Sequence, residues 1–386
     1  MTQEVTELQR ANYLPTLDGW RAIAIIGVMI CHAADAPLLA REGPGGFWHH
    51  LTRYGAEGVA LFFGLSGFLI TYRLLQERQR LGAIRLDHFY GRRLFRILPA
   101  CLAYLLVVTA LAGIGLLALH PEDLRSSFLF YRNYLAPERL GSWYTGHFWT
   151  LAIEEHFYLL WPGLLVLLGA RRALWASALL AGGVAFWRWI EIRFNPTAAW
   201  FSDMALSVRT DIRIDGLLWG AFAALLLHDV VRERWLRRLF SSRLTWGAMG
   251  VLAAVCLNRS VLPFNAMWWA LLIPFFFVGT VLHPTGPLGR LLESPALTWV
   301  GRLSYSLYLW QQLFLVGAVV ERPLPLGALQ AFPLNILAAF ACAALSYYGL
   351  EKPLVAVGKR LFSSGERQGS KTQAESNEWA ARARAR

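Results

Sequence analysis

Apolar runs of about twenty residues recur along nearly the whole chain, and no other feature limits its possible folds as much. A run of that length matches the hydrocarbon thickness of a bilayer, where every backbone polar group must be satisfied internally, so such runs predict helices. Spans are expected at about 18–36, 57–75, 99–119, 148–169, 173–190, 211–229, 244–258, 266–283, 299–318 and 333–350. The fold class is therefore an all-α, polytopic transmembrane helical bundle of about ten helices. Composition agrees, with 56% hydrophobic and 16% charged residues and a mean hydropathy of +0.40. The expected division is an N-terminal segment over 1–16, a transmembrane domain over 17–361 and a disordered tail over 362–386, whose Ser, Gly, Gln, Glu and Arg cannot bury a core.

The formal net charge is +12. Its basic residues do not form a soluble face that could bind nucleic acid; they cluster in the short segments between spans, at Arg73 to Arg96, Arg171-Arg172, Arg232 to Arg243, Arg290 to Arg302 and Lys352 to Arg360. Each falls where an even number of crossings returns the chain to its starting side, the positive-inside pattern. Both termini are thus expected in the cytoplasm of a multi-pass plasma-membrane protein, with the bilayer as a partner. Met1 to Pro15 has no signal-peptide layout, so the first span is expected to insert uncleaved. Cys31, Cys101, Cys256 and Cys342 lie in or near spans without metal-ligand spacing, and no metal site is expected.

The first span carries Asp18, Arg21, His32 and, just beyond, Asp35. Ionisable groups in a bilayer are costly and by default face a protein interior or a wet cavity. Eleven helical steps separate Arg21 from His32, which returns them to within about 20° of one face and places them ~16 Å apart along the axis. Asp18 is a local ion-pair partner for Arg21, and Asp35 either orients His32 or is solvated. His32 is either a structural histidine bonded between helices or a general base. Cys31 is the poorer nucleophile, since it points ~100° away from the histidine face.

Depth bookkeeping places Glu154 and Glu155 of the fourth span, and Gln311 of the ninth, near the level of His32 in the outer half, with Asp215 somewhat closer to the outer surface. Adjacent carboxylates point in different directions, so one is expected to contact histidine or substrate and the other an arginine. At the opposite rim, Arg92, Arg93 and Arg96 precede Pro99 and the third span. They could grip phosphate oxygens or act as topological anchors. The run from Gly58 to Ile70 includes Gly64, Ser66 and Gly67, which suit either close helix packing or a narrow channel.

In these residues the chain resembles the acyltransferase 3 family of integral membrane O-acyltransferases. The resemblance rests on Leu17-Asp18-Gly19-Trp20-Arg21 with His32, Gly58 to Thr71, Arg92-Arg93 to Pro99, Trp149 to Pro162, Arg213 to Gly220, Gly301 to Trp310 and Glu351-Lys352-Pro353. It implies acyl-CoA as co-substrate, with no further cofactor, and a hydroxyl-bearing acceptor such as a sugar, polysaccharide or macrolide. By the same resemblance His32 is the catalytic base, and Arg21, Arg92, Arg93 and Arg96 serve the donor; the residues themselves suggest that Glu154 or Glu155 holds the imidazole or the acceptor, which adds both to the catalytic set. Ser66, Asp215, Tyr305 and Gln311, within or beside the matched motifs, complete the expected substrate-binding set. Gln311 stands where members often carry histidine. An extracellular hydrolase-like domain carried by some members is not expected here. The alternative reading is a transporter or flippase with a buried ionisable pathway.

Overall fold

The computed structural model describes residues 13–33, 54–135, 142–194, 208–257, 265–316 and 324–362. Asp35, most of the N-terminal segment and nearly all of the tail lie outside them. Among the described residues the regular structure is entirely helical. In chain order the helices are α1 Pro15–His32, α2 Gly58–Leu81, α3 Leu86–Gly113, α4 Pro121–Phe128, α5 Trp143–Gly146, α6 Phe148–Phe194, α7 Thr210–Arg213 and α8 Asp215–His228. They continue as α9 Val230–Phe240, α10 Arg243–Leu257, α11 Asn265–Leu282, α12 Pro287–Leu292, α13 Pro295–Trp310, α14 Leu334–Ser346 and α15 Lys352–Leu361.

Four stretches are long and apolar enough to cross a membrane: 58–81, 86–113, 143–191 and 334–361, and the bent pair α9–α10 would make a fifth. The membrane-helical class expected from the sequence is present; the expected ten crossings exceed this count. α6 alone, at 47 residues, would extend ~70 Å if straight, more than twice the hydrocarbon thickness. Gly169 interrupts it with φ 69° and ψ 165°, a left-handed backbone that glycine adopts without a Cβ clash. Leu106, Leu159, Leu160, Leu167 and Leu179 stand on outward faces, the side chains that lipid would cover.

Two boundaries differ from expectation. α3 starts at Leu86 and runs through Pro99, so Arg92, Arg93 and Arg96 sit on a helix rather than ahead of one. Arg92 and Arg93 point ~100° apart, and Arg96 falls between them, about 40° from Arg92 and 60° from Arg93. α1 ends at His32, with Ala33 as its C-cap, so the histidine occupies the helix terminus rather than the body of a span reaching residue 36.

α1 lies at the centre, packed along α2 and α13 and touching α11 and α12. Backbone approach makes this possible: a Cβ on Gly301 would strike the Asp18 carbonyl, one on Gly19 the backbone of Leu292, and one on Gly58 the carbonyl of Ala24. α2 meets α8 the same way, with Gly67 against the Leu217 carbonyl and Gly220 against that of Gly64. Without a hydrophobic drive between helices in lipid, such small-residue contacts supply the packing. Trp20 adds a hydrogen bond to Thr280 Oγ1 at 3.0 Å and edge contacts to Phe276 and Phe277.

Gly67→Val is expected to force α2 from α8 and destabilise the protein by roughly 1–3 kcal/mol, read as a lower unfolding midpoint in detergent. Gly163→Ala, with open space around it, should leave the midpoint nearly unchanged.

Candidate active site

The polar residues gather at three levels along α1. At its C-terminal end the His32 ring stands edge-on to Trp143, 5.3 Å between centroids. The short α5 is held there by reciprocal bonds: Trp143 Nε1 donates to the Gln312 carbonyl (3.1 Å) and Gln312 Nε2 to the Trp143 carbonyl (2.9 Å). The segment before it is tied by Asp123, which accepts from the backbone amides of His120 and Ser142, both at 3.1 Å, and pairs with buried Arg132 at 3.1 Å. These contacts fix His147, only 3% exposed, within electrostatic range of His32. Tyr104 and Tyr308 flank the His147 ring at 5.2 and 5.4 Å. Gln311 stands beside His32 but short of a well-formed hydrogen bond.

Both ring nitrogens of His147, Nδ1 of His32, both amide atoms of Gln311 and Oε1 of Gln312 are buried without a protein partner. Each such group costs about 1–3 kcal/mol. Gathered at one point, they form a set of donors and acceptors suited to hydroxyl and carbonyl groups.

At the middle level a narrow cavity of about 60 Å³ is lined by Arg21, Ser66, Thr150, Glu154, Tyr305 and Tyr308 among others. Ser66 Oγ donates to Glu154 Oε1 (2.9 Å) and Tyr158 Oη to its Oε2 (2.7 Å). Tyr305 Oη donates to the Ile97 carbonyl (2.8 Å), the carbonyl two residues before Pro99. Thr150 Oγ1 and Tyr308 Oη are 2.6 Å apart, and both donate to the His147 carbonyl, at 3.1 and 3.0 Å. This pair joins the cavity wall to the His147 main chain.

At the N-terminal level, the Arg21, Arg93 and Arg96 guanidinium groups are close enough to repel one another. Arg93 lies over the Tyr158 ring and 3.8 Å from Glu155 Oε1. Arg73 and Arg96 both lie within range of Asp18, whose carboxylate accepts from Tyr13 Oη at 2.6 Å, and Arg302 faces that pair. Burial and the Asp18 bond push the Tyr13 hydroxyl up to about 12, so it remains a donor. Arg73, Arg96 and Arg302 are all exposed, so this rim presents cationic groups that water or a ligand can reach.

Several expected residues thus come together and others do not. Arg21, Ser66, Glu154 and Tyr305 share the cavity. Glu154 does not lie level with His32: His147 does, seven residues or ~10 Å earlier on the same strand of chain. The reason is the early end of α1, which carries His32 farther toward that surface. Glu155 faces Arg93, the split anticipated for adjacent carboxylates. Arg92 turns from the cluster to Glu77 (2.7 Å) and the Phe362 carbonyl (3.1 Å). Asp215 pairs at 2.8 Å with Arg188, which also donates to the Ile212 carbonyl, on another side of the bundle. Gly64 and Gly67 serve packing, while Ser66 serves the cavity. Among the described residues no group of three or more His, Cys, Asp or Glu could hold a metal ion.

Sequence reasoning missed His147, Arg73 and Arg302, although the spacing contained them. Arg73 is seven residues from Ser66 and Arg302 three from Tyr305, each on one helical face. His147, Thr150 and Glu154 make an i, i+3, i+7 stripe, but His147 fell just outside the expected span.

The structure presents a buried polar site inside an apolar helical bundle, and comparison with known proteins supplies its class. The sequence profile of the acyltransferase 3 family, described as an acyltransferase domain, matches residues 14–350. The chain belongs to this family and carries its acyltransferase domain. A Staphylococcus aureus (strain COL) protein bearing an O-acetyltransferase name is 28% identical over 91% of this chain and 59% of its own length. The peptidoglycan O-acetyltransferase OatA of Listeria monocytogenes (serovar 1/2a, strain EGD-e) is 26% identical over 89% of this chain and 56% of its own. The O-acetyltransferase OatA of Staphylococcus aureus (strain NCTC 8325) is 26% identical over 94% and 60%. The chain thus spans about three fifths of the length of these relatives. No solved structure matches it. A transporter or flippase function draws no support from this membership.

If the Arg188–Asp215 pair is architectural, Asp215→Asn should cost roughly 3–5 kcal/mol by leaving a buried guanidinium unpaired, whereas Arg188→Met with Asp215→Leu should recover most of that loss. Unfolding midpoints of the three proteins in detergent check this.

Proposed function

We propose that the protein transfers an acyl group, acetyl in the simplest case, from acyl-CoA to a hydroxyl of a carbohydrate acceptor, with His32 as general base. The observation that supports this most is the layout along α1: exposed arginines at one end, His147 with both ring nitrogens unmet and His32 with Nδ1 unmet beside amides at the other, and a cavity between. In this reading the arginine end faces the cytoplasm of a multi-pass plasma-membrane protein of about ten spans, in keeping with the basic segments.

The donor phosphates are gripped by Arg93 and Arg96, whose forks match phosphate oxygens, with Arg21 at the inner edge. Glu155 positions Arg93, and Glu154 holds the Ser66 hydroxyl toward the pantetheine arm. The arm spans the ~16 Å to His32, displacing the Thr150–Tyr308 contact on its way. Neutral His32 takes the proton of the acceptor hydroxyl as its oxygen attacks the thioester carbonyl. The tetrahedral intermediate collapses, the C–S bond breaks, and the leaving thiolate receives the proton from the imidazolium. His147 and Gln311 hold the acceptor hydroxyl and the developing oxyanion. A sugar polymer as acceptor accords with the peptidoglycan named for the Listeria relative.

Labelled acyl-CoA and purified full chain test the base: His32→Ala should abolish transfer while leaving the unfolding midpoint near normal, and near-normal turnover would sink the assignment. Arg93→Gln and Arg96→Gln should each raise KM for acyl-CoA about 10-fold or more, given the strength of charge-assisted bonds, with a smaller change in kcat. Arg92→Gln, which breaks the contact to Glu77, should leave that KM nearly unchanged.

A further inference from the structure

We infer that α9 is an in-plane membrane helix whose Arg234 and Arg238 bind the headgroups of anionic phospholipids. The inference is independent of the acyl-transfer chemistry.

α9 cannot cross a bilayer. Its eleven residues, Val230–Phe240, include Arg232, Glu233, Arg234, Arg237 and Arg238, a prohibitive charge at bilayer depth. The following apolar helix α10 departs from it at 85°. If α10 runs along the membrane normal, α9 lies in the membrane plane. The chain turns at Asp229, whose φ of −90° and ψ of 120° end α8, and whose Oδ1 caps α9 by accepting from Arg232 N at 3.0 Å.

Three faces of α9 have different surroundings. Glu233, Leu236 and Phe240 are buried against the bundle. Arg237 pins that side, its guanidinium donating to the Leu282 carbonyl (2.8 Å) and Glu233 (3.0 Å), while its own carbonyl meets His283 Nε2 at 2.9 Å. A second face carries Val231, Trp235 and Leu239, exposed by 76%, 61% and 38%. They are spaced four apart and form one apolar stripe, continuous in character with exposed Leu244, Val251 and Leu252 of α10. The third face holds exposed Arg234 and Arg238, one turn apart and beside the stripe, with Arg232 along its other edge.

An apolar stripe bounded by arginines, tryptophan at its middle, in a helix perpendicular to a span, is the pattern of interfacial insertion. The arginines then sit at phosphate depth, where each basic residue near an anionic leaflet gains about fivefold in affinity. Charge complementarity selects anionic phospholipid over a protein partner, because cations border the stripe on both edges.

The test uses the purified full chain in nanodiscs of phosphatidylcholine with a minority of phosphatidylglycerol, either lipid being brominated in turn. Quenching assigned to Trp235 is the difference between the wild type and Trp235→Phe. Brominated phosphatidylglycerol should quench more than its bulk fraction predicts, with roughly 5-fold enrichment per arginine. Arg234→Gln with Arg238→Gln should lower that preference to near parity while brominated phosphatidylcholine still quenches, and added salt should weaken the wild-type preference. Equal quenching per lipid in the wild type would overturn the headgroup assignment. Absence of quenching by either lipid, with Trp235 shielded by a second copy or a protein, would overturn the membrane placement.

Discussion

The backbone contacts of α1 are the constraint on which the rest of the structure depends. Gly19, Gly58 and Gly301 let α12, α2 and α13 reach its main chain. In lipid the tails are as apolar as leucine, so helices associate through close fit rather than escape from solvent. A helix enclosed on these sides can carry Asp18, Arg21 and His32 without presenting them to hydrocarbon. Loosening that fit would cost packing and expose charge together.

Enclosure also sorts the polar groups by level. The Asp18 end gathers guanidinium groups, with half-buried Arg21 and Arg93 close enough to repel exposed Arg96, a state that favours anion binding. The His32 end gathers imidazoles and amides whose hydrogen-bonding capacity the protein itself does not use. Leaving such groups unmet costs stability, and sites of recognition or catalysis are where that cost is offset by function. Thr150 and Tyr308 stand between the two ends and couple the cavity wall to the His147 main chain.

Much of this was legible in the chain. Apolar runs announced the helical membrane class, and the stripe arithmetic set Arg21 and His32 on one face because angular position depends only on residue spacing within a helix. The same arithmetic sets Arg92 and Arg93 about 100° apart once both are known to be helical, while it leaves Arg96 between them; the contact of Arg92 with Glu77 is what draws it from the cluster. Depth was less legible, since it depends on where helices end. Ending α1 at His32 shifted its neighbours from Glu154 to His147, and starting α3 at Leu86 turned an expected loop cluster into two faces.

By itself the sequence determined the membrane-helical class, the family, and which side chains could share a helical face, all of which follow from local periodicity and ordered motifs. Tertiary structure decided which polar groups meet: Glu155 with Arg93, Glu154 with Ser66, Asp215 with Arg188, His32 with His147. Those pairings join residues on different helices, Glu154 and Ser66 for example 88 positions apart, set by helix ends and glycine contacts that spacing within one helix does not contain.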